Sequence, residues 1–180
     1  MKKLFLLAFL LAAPLSAAII FQLDPLPLTP VSAGDPVVVE AMISGLGNAG
    51  PPSVGSFDFT ISYDDSLLAF QFAEFSGFLG DVGAGEALTD LLSSPGSVNV
   101  VEVSLLLPAD LHALQPSAFT MAKLHFIAIG FGLPDRAITA ALIDDQDGNL
   151  LVGVKIPEIS SFCLWAVGLG LLMTRSRPRI

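Results

Sequence analysis

The sequence predicts an all-β fold of two packed antiparallel sheets, and three observations carry that reading. Short runs of alternating apolar and polar residues recur between residues 37 and 156. Turn-forming Gly, Pro, Asp and Asn stand in every gap between them. No stretch keeps a 3.6-residue apolar period long enough for an organising helix, and many short strands without one point to a β-sandwich.

Taken in chain order, residues 22–30 contain three prolines and read as an extended lead-in. Residues 37–43 form a nearly continuous apolar run with Glu40 inside it, followed by the glycine-rich stretch 45–52. Residues 57–63 alternate cleanly: Phe57, Phe59, Ile61 and Tyr63 face one way, Asp58, Thr60 and Ser62 the other, the pattern of a half-buried strand. Weaker strand signals follow at 68–72, 101–105, 123–129, 137–143 and 150–156, and two short helical turns are expected at 85–92 and 109–114. Between the strands at 57–63 and 68–72, Asp64 and Ser66 are placed to bond backbone amides and hold a turn.

Composition bounds the function. The chain of 180 residues is 53% hydrophobic and 14% charged, so one ordinary domain with a substantial core fits between its two apolar ends. Its net charge is −9, and five of its eight basic residues lie in the terminal segments, leaving Lys123, Arg136 and Lys155 between them. A domain this poor in cations has no cluster to displace counterions from phosphates, which argues against nucleic-acid binding. The single cysteine, Cys163, excludes an intrachain disulfide.

Both ends read as targeting segments. Lys2 and Lys3 precede an apolar run, and Ser16 and Ala18 supply the small residues at the two positions a signal peptidase inspects, so residues 1–18 are expected to be a signal peptide cleaved after Ala18. Residues 19–156 then form the domain. Residues 157–180 form a tail: Pro157-Glu158-Ile159-Ser160-Ser161, an apolar stretch that would enter the inner membrane as a helix, and an end carrying Arg175, Arg177 and Arg179 on the cytoplasmic side. That tripartite tail resembles the PEP-CTERM sorting signal of Gram-negative bacteria, with one departure: Ile159 stands where the family's second proline would be. The resemblance implies processing by exosortase, after transient residence in the inner membrane, and delivery to the cell surface or an exopolysaccharide biofilm matrix.

The domain itself resembles the cohesin-like family. The residues that carry the likeness are the opening run Val31-Ser32-Ala33-Gly34-Asp35-Pro36-Val37-Val38-Val39, the segment 55–70 with Tyr63-Asp64-Asp65-Ser66-Leu67-Leu68, and the stretch 119–130. The resemblance implies a nine-stranded jelly-roll sandwich and a protein-binding or carbohydrate-proximal role, since cohesins of cellulosomes bind dockerins.

Candidate chemistry is sparse. Gly45-Leu46-Gly47-Asn48-Ala49-Gly50 has the spacing of a dinucleotide fingerprint, but Pro51-Pro52 and a strand follow it where a helix should begin, so it reads as a glycine-rich loop. Asp144, Asp145, Asp147 and Asn149 gather oxygen ligands around Gly148 and could hold calcium, though the glutamate that completes an EF-hand loop is missing and Asp-Gly-Asn also suits a hairpin turn. His112 and His125 lack zinc-site spacing; His125 shares a face with Lys123, the expected solvated side of its strand. No nucleophile elbow is present. The reading is therefore a non-catalytic interaction or structural protein of the cell envelope with no cofactor beyond that calcium candidate, partnered by a surface protein or polysaccharide. The alternative is a carbohydrate-binding module, which would display exposed aromatic platforms.

Overall fold

The structure, a computed structural model, describes residues 18–24 and 30–151. Ser16 of the expected cleavage site, most of the strand expected at 150–156, and the tail with Pro157, Glu158, Ser160, Ser161, Arg175, Arg177 and Arg179 lie outside the described residues.

Among the described residues, eight strands form two four-stranded antiparallel sheets, as the alternation predicts. They are β1 (Ile20–Asp24), β2 (Pro36–Ser44), β3 (Val54–Tyr63), β4 (Leu68–Phe75), β5 (Ala87–Ser94), β6 (Ser97–Ser104), β7 (Ala118–Ala128) and β8 (Arg136–Asp145), with one short helix, α1 (Pro108–Leu114), before β7. One sheet runs β1-β2-β7-β4 and the other β5-β6-β3-β8. Only β1 with β2, and β5 with β6, pair as sequence neighbours, so every other connection crosses from sheet to sheet and closes the sandwich over a common core.

That core follows from the alternation. In β2, Val37, Val39, Ala41 and Ile43 point inward, and Glu40, expected inside the apolar run, points out to bond Thr120 and Lys123. In β3, Phe57, Phe59 and Ile61 are buried; Phe59 packs on Phe21 of β1 and on Phe57, with ring centroids 5.1 and 5.4 Å apart. Aromatic side chains of this size each remove a large apolar area from water when buried. The turn after β3 is built as the sequence implies. Asp64 Oδ1 accepts the Ser66 amide at 2.9 Å and the Ser66 hydroxyl at 2.6 Å, and these bonds hold the Asp64 carboxyl below its ordinary value.

Two expectations need correction. The short helix expected at 85–92 is not there: residues 81–86 form turns and β5 follows, paired with β6 from Ala87↔Ser104 to Ser94↔Ser97 without a bulge. The helix-favouring composition is overridden by that ladder, and period-two alternation is missing because seven of the eight β5 residues are exposed. The lead-in at 22–30 is in part a strand, since Gln22 to Asp24 belong to β1 and pair with Met42 to Glu40. The helix expected at 109–114 is present as α1, with Pro108 at its start, a position where the missing proline N–H costs nothing. Of the strand expected at 150–156, Leu150 bridges Asp144 and Leu151 is buried.

Candidate binding face

The two sheets present very different outer surfaces. On the β1-β2-β7-β4 sheet, the register aligns Asp24, Glu40, Lys123 and Glu74 in one row, so the single cation is flanked by carboxylates. Lys123 Nζ lies 3.2 Å from Glu40 Oε1, and the Thr120 hydroxyl together with Lys123 holds the Glu40 carboxyl below its usual range. In the next row His125 stacks on Phe72, with centroids 4.3 Å apart and planes 10° from parallel, and its Nε2 is 3.5 Å from Glu74. His125 thus faces outward with Lys123, as its strand position implies.

The outer face of the β5-β6-β3-β8 sheet has no such internal compensation. Its register stacks four cross-sheet rows: Leu88, Val103, Ser56, Asp144; Asp90, Val101, Asp58, Leu142; Leu92, Asn99, Thr60, Ala140; and Ser94, Ser97, Ser62, Ala137. Leu88, Leu92 and Leu142 are 59%, 63% and 51% exposed, and Val103 39%. Asp58, Asp90 and Asp144 stand among these apolar groups, and no Lys or Arg occupies any of the sixteen positions in the four rows. At the centre, Asn99 Nδ2 donates to Asp58 Oδ1 at 2.6 Å and to Thr60 Oγ1 at 3.1 Å, fixing a polar island within the apolar surround. A sheet face of this kind, both apolar and acidic, suits a protein partner that brings apolar and basic groups.

The calcium candidates separate in the fold. Asp144 turns onto this face, where Ser56 Oγ donates to it at 3.3 Å. Asp145 faces the loop instead, its Oδ1 accepting the amides of Asp147 at 2.9 Å and Asn149 at 2.8 Å. Desolvation pushes the Asp145 carboxyl up, but the bonds from Asn149 and Asp147 outweigh it and the net shift is downward. Asp147 accepts from Gln146, and Gly148, at φ +77°, completes the hairpin turn. Among the described residues no group of three His, Cys, Asp or Glu side chains is placed to share a metal. The glycine-rich loop leads into β3. An added Cβ at Gly47 would meet the Gly50 carbonyl oxygen, so only glycine fits there.

Three arrangements have no sequence signal. Ser53 Oγ and His112 Nδ1 are 2.9 Å apart although 59 positions separate them, and Ser53 also bonds Gln146. Ser53 is completely buried, so the contact pins α1 to the start of β3 and offers no nucleophile to a substrate. Gln115, just after α1, is buried; its Oε1 accepts the Val54 amide at 2.7 Å and its Nε2 donates to the carbonyls of Val54 at 2.8 Å and Phe78 at 3.1 Å. Glu102, on the inner face of β6, is 0% exposed, and neither carboxylate oxygen has a hydrogen-bond partner among the described residues. Burial pushes its carboxyl up to about 7.

No family model and no curated protein matches the sequence. Solved structures do match in fold. The sixth cohesin of Acetivibrio cellulolyticus scaffoldin B, solved in complex with a dockerin, superposes with a TM-score of 0.60 at 17% identity, over 77% of this chain and 93% of that one. A type I cohesin–dockerin complex from Clostridium thermocellum gives a TM-score of 0.59 at 11% identity, over 76% of this chain and 93% of that one. A cohesin module from a Clostridium perfringens family 33 glycoside hydrolase gives 0.55 at 15%, over 78% and 90%. The described domain therefore has the cohesin-like jelly-roll sandwich fold.

Proposed function

We propose that this chain is an exported, non-catalytic interaction module of the cell envelope, and that it holds a protein partner on the outer face of the β5-β6-β3-β8 sheet. The observation that carries the proposal is the face itself: Leu88, Leu92, Val103 and Leu142 exposed around Asp58, Asp90 and Asp144, with no cation among them. Two of the structures with this fold are complexes with dockerins, which supports a protein as the partner. A carbohydrate-binding module would stack sugars on aromatic rings, and the four rows contain no aromatic residue. Leu92→Lys and Leu142→Lys should each weaken partner binding at least about tenfold, as replacing an interface anchor does, while Val38→Lys on the opposite sheet should leave it unchanged. Loss of binding through Val38→Lys alone would move the site to the other face.

The export and anchoring part of the proposal rests on the sequence of the two ends. Exosortase would process the tail at Pro157-Glu158, with Ser160 and Ser161 following and Arg175, Arg177 and Arg179 retained in the cytoplasm until cleavage. Mass spectrometry of the C-terminal peptide, in hosts with and without exosortase, checks this. Loss of the residues beyond Glu158 only when exosortase is present is the expected result; Arg179-Ile180 retained in both hosts would make the tail an ordinary anchor.

A further inference from the structure

Glu102 is out of keeping with its surroundings. Its neighbours on the inner face of the sheet are Thr89 across β5 and Phe57 across β3. Phe57 in turn stacks on Phe75 of β4, with centroids 6.5 Å apart. Phe75 of the edge strand β4 and Thr89 of the edge strand β5 both line a crevice of about 510 Å³, with Ser76, Gly77, Gly80, Asp81 and Val82. The buried carboxylate therefore lies one residue behind the wall of a water-accessible opening. The segment 76–86 that frames this opening is made of turns, and β5 is an edge strand exposed over almost its whole length. Such elements open at lower free energy than central strands.

Among the described residues, no charge on any element packed around Glu102 offsets it. On β5 and β3 the adjacent carboxylates, Asp90 and Asp58, point to the outer face, and α1 contributes Asp110 and His112, the latter bonded to Ser53. In the 76–86 segment, Glu86 accepts the Asp81 amide and Asp81 accepts the Gly83 amide. Glu74 of β4 and His125 of β7 meet each other on the outer face of the other sheet. The described cations are remote: Lys123 is on that same outer face, and Arg136 is opposite Tyr63 at the far end of β3.

We propose that Glu102 is a protonation switch for this edge of the sandwich. With the carboxyl neutral, β5 stays seated on the core; when it ionises, β5 and the 76–86 segment swing away so that water reaches the carboxylate. The direction follows from the carboxyl's rise from 4.5 to about 7 on burial: an open form that solvates it gains ground as pH rises between those values. Between about pH 5.5 and about pH 8 the opening constant should increase about 30-fold.

Amide hydrogen exchange on the full-length protein at those two pH values, corrected for intrinsic exchange, tests the switch. Peptides covering 77–94 should show the roughly 30-fold increase through an opening of lower free energy than the global unfolding that β3 and β7 report, and Glu102→Gln, which mimics the neutral acid, should abolish it. An unchanged pH dependence in E102Q, no dependence in the native protein, or exchange of 77–94 only at the same opening free energy as β3 and β7 would overturn the proposal. If E102Q does not fold, the carboxyl carbon of Glu102 followed by NMR in the native protein decides: a midpoint near 7 is expected, and one near 4.5 contradicts the switch.

Discussion

Replacing Gln115 by alanine is expected to lower the stability of the domain by about 3 kcal/mol, seen as a reduced urea midpoint with an unchanged slope. The side chain is 2% exposed and joins three elements: α1, which ends just before it, the first residue of β3, and the loop after β4. Truncation leaves the Val54 amide and the carbonyls of Val54 and Phe78 without the partners they have now, in a place water does not reach. An unsatisfied buried polar group costs about 1–3 kcal/mol, so three partial losses account for the total. Gln115→Glu removes the amide donor and should cost at least as much at neutral pH, because it adds a buried charge. A loss below about 0.5 kcal/mol for the alanine variant would mean that the network is not a structural joint.

The second large effect is a fall in stability with rising pH, caused by Glu102. Its carboxyl has a pKa of about 7 in the folded protein against an ordinary 4.5 in the unfolded chain. Between these values the folded state holds a proton that the unfolded state has released, so stability is fully present below pH 4.5 and lost as pH rises through 7. The full loss corresponds to about 3 kcal/mol. Urea denaturation across this range should show the decline in the native protein and a flat profile from this site in E102Q. Glu102→Leu, which also removes the two unpartnered oxygens, should be the more stable variant at pH 8.

Much of the fold is legible in the residues, because a strand with one face buried must alternate. Phe57, Phe59 and Ile61 against Asp58 and Thr60 define β3 without any tertiary information, and Asp64 with Ser66 defines the turn after it. The same logic explains what is not legible. In β5, Leu88, Leu91 and Leu92 are all exposed, so burial imposes no period and the segment resembles a short helix. Around Glu102 the alternation misleads. Val101, Val103 and Leu105 make the more apolar set and suggest that Glu102 faces water, yet Val98 and Val100 are the buried residues and carry Glu102 inward with them.

The candidate face is illegible for a related reason. Leu88 and Leu92, Val103 and Leu142 come from three segments more than fifty positions apart at their extremes, and only the ladder of β5, β6, β3 and β8 brings them into one surface. Gln115 and the Ser53 contact with His112 depend on where α1 docks, which no local spacing encodes.

The most direct test of the docking face is site-specific photocrosslinking in the native host. A photoreactive amino acid placed at Leu92 or Leu142 should give a discrete adduct with one envelope protein, while the same group at Val38 or Phe72, on the outer face of the opposite sheet, should give none. Equal adducts from both faces, or adducts only from Val38 and Phe72, would contradict the assignment of the β5-β6-β3-β8 sheet as the surface that holds the partner.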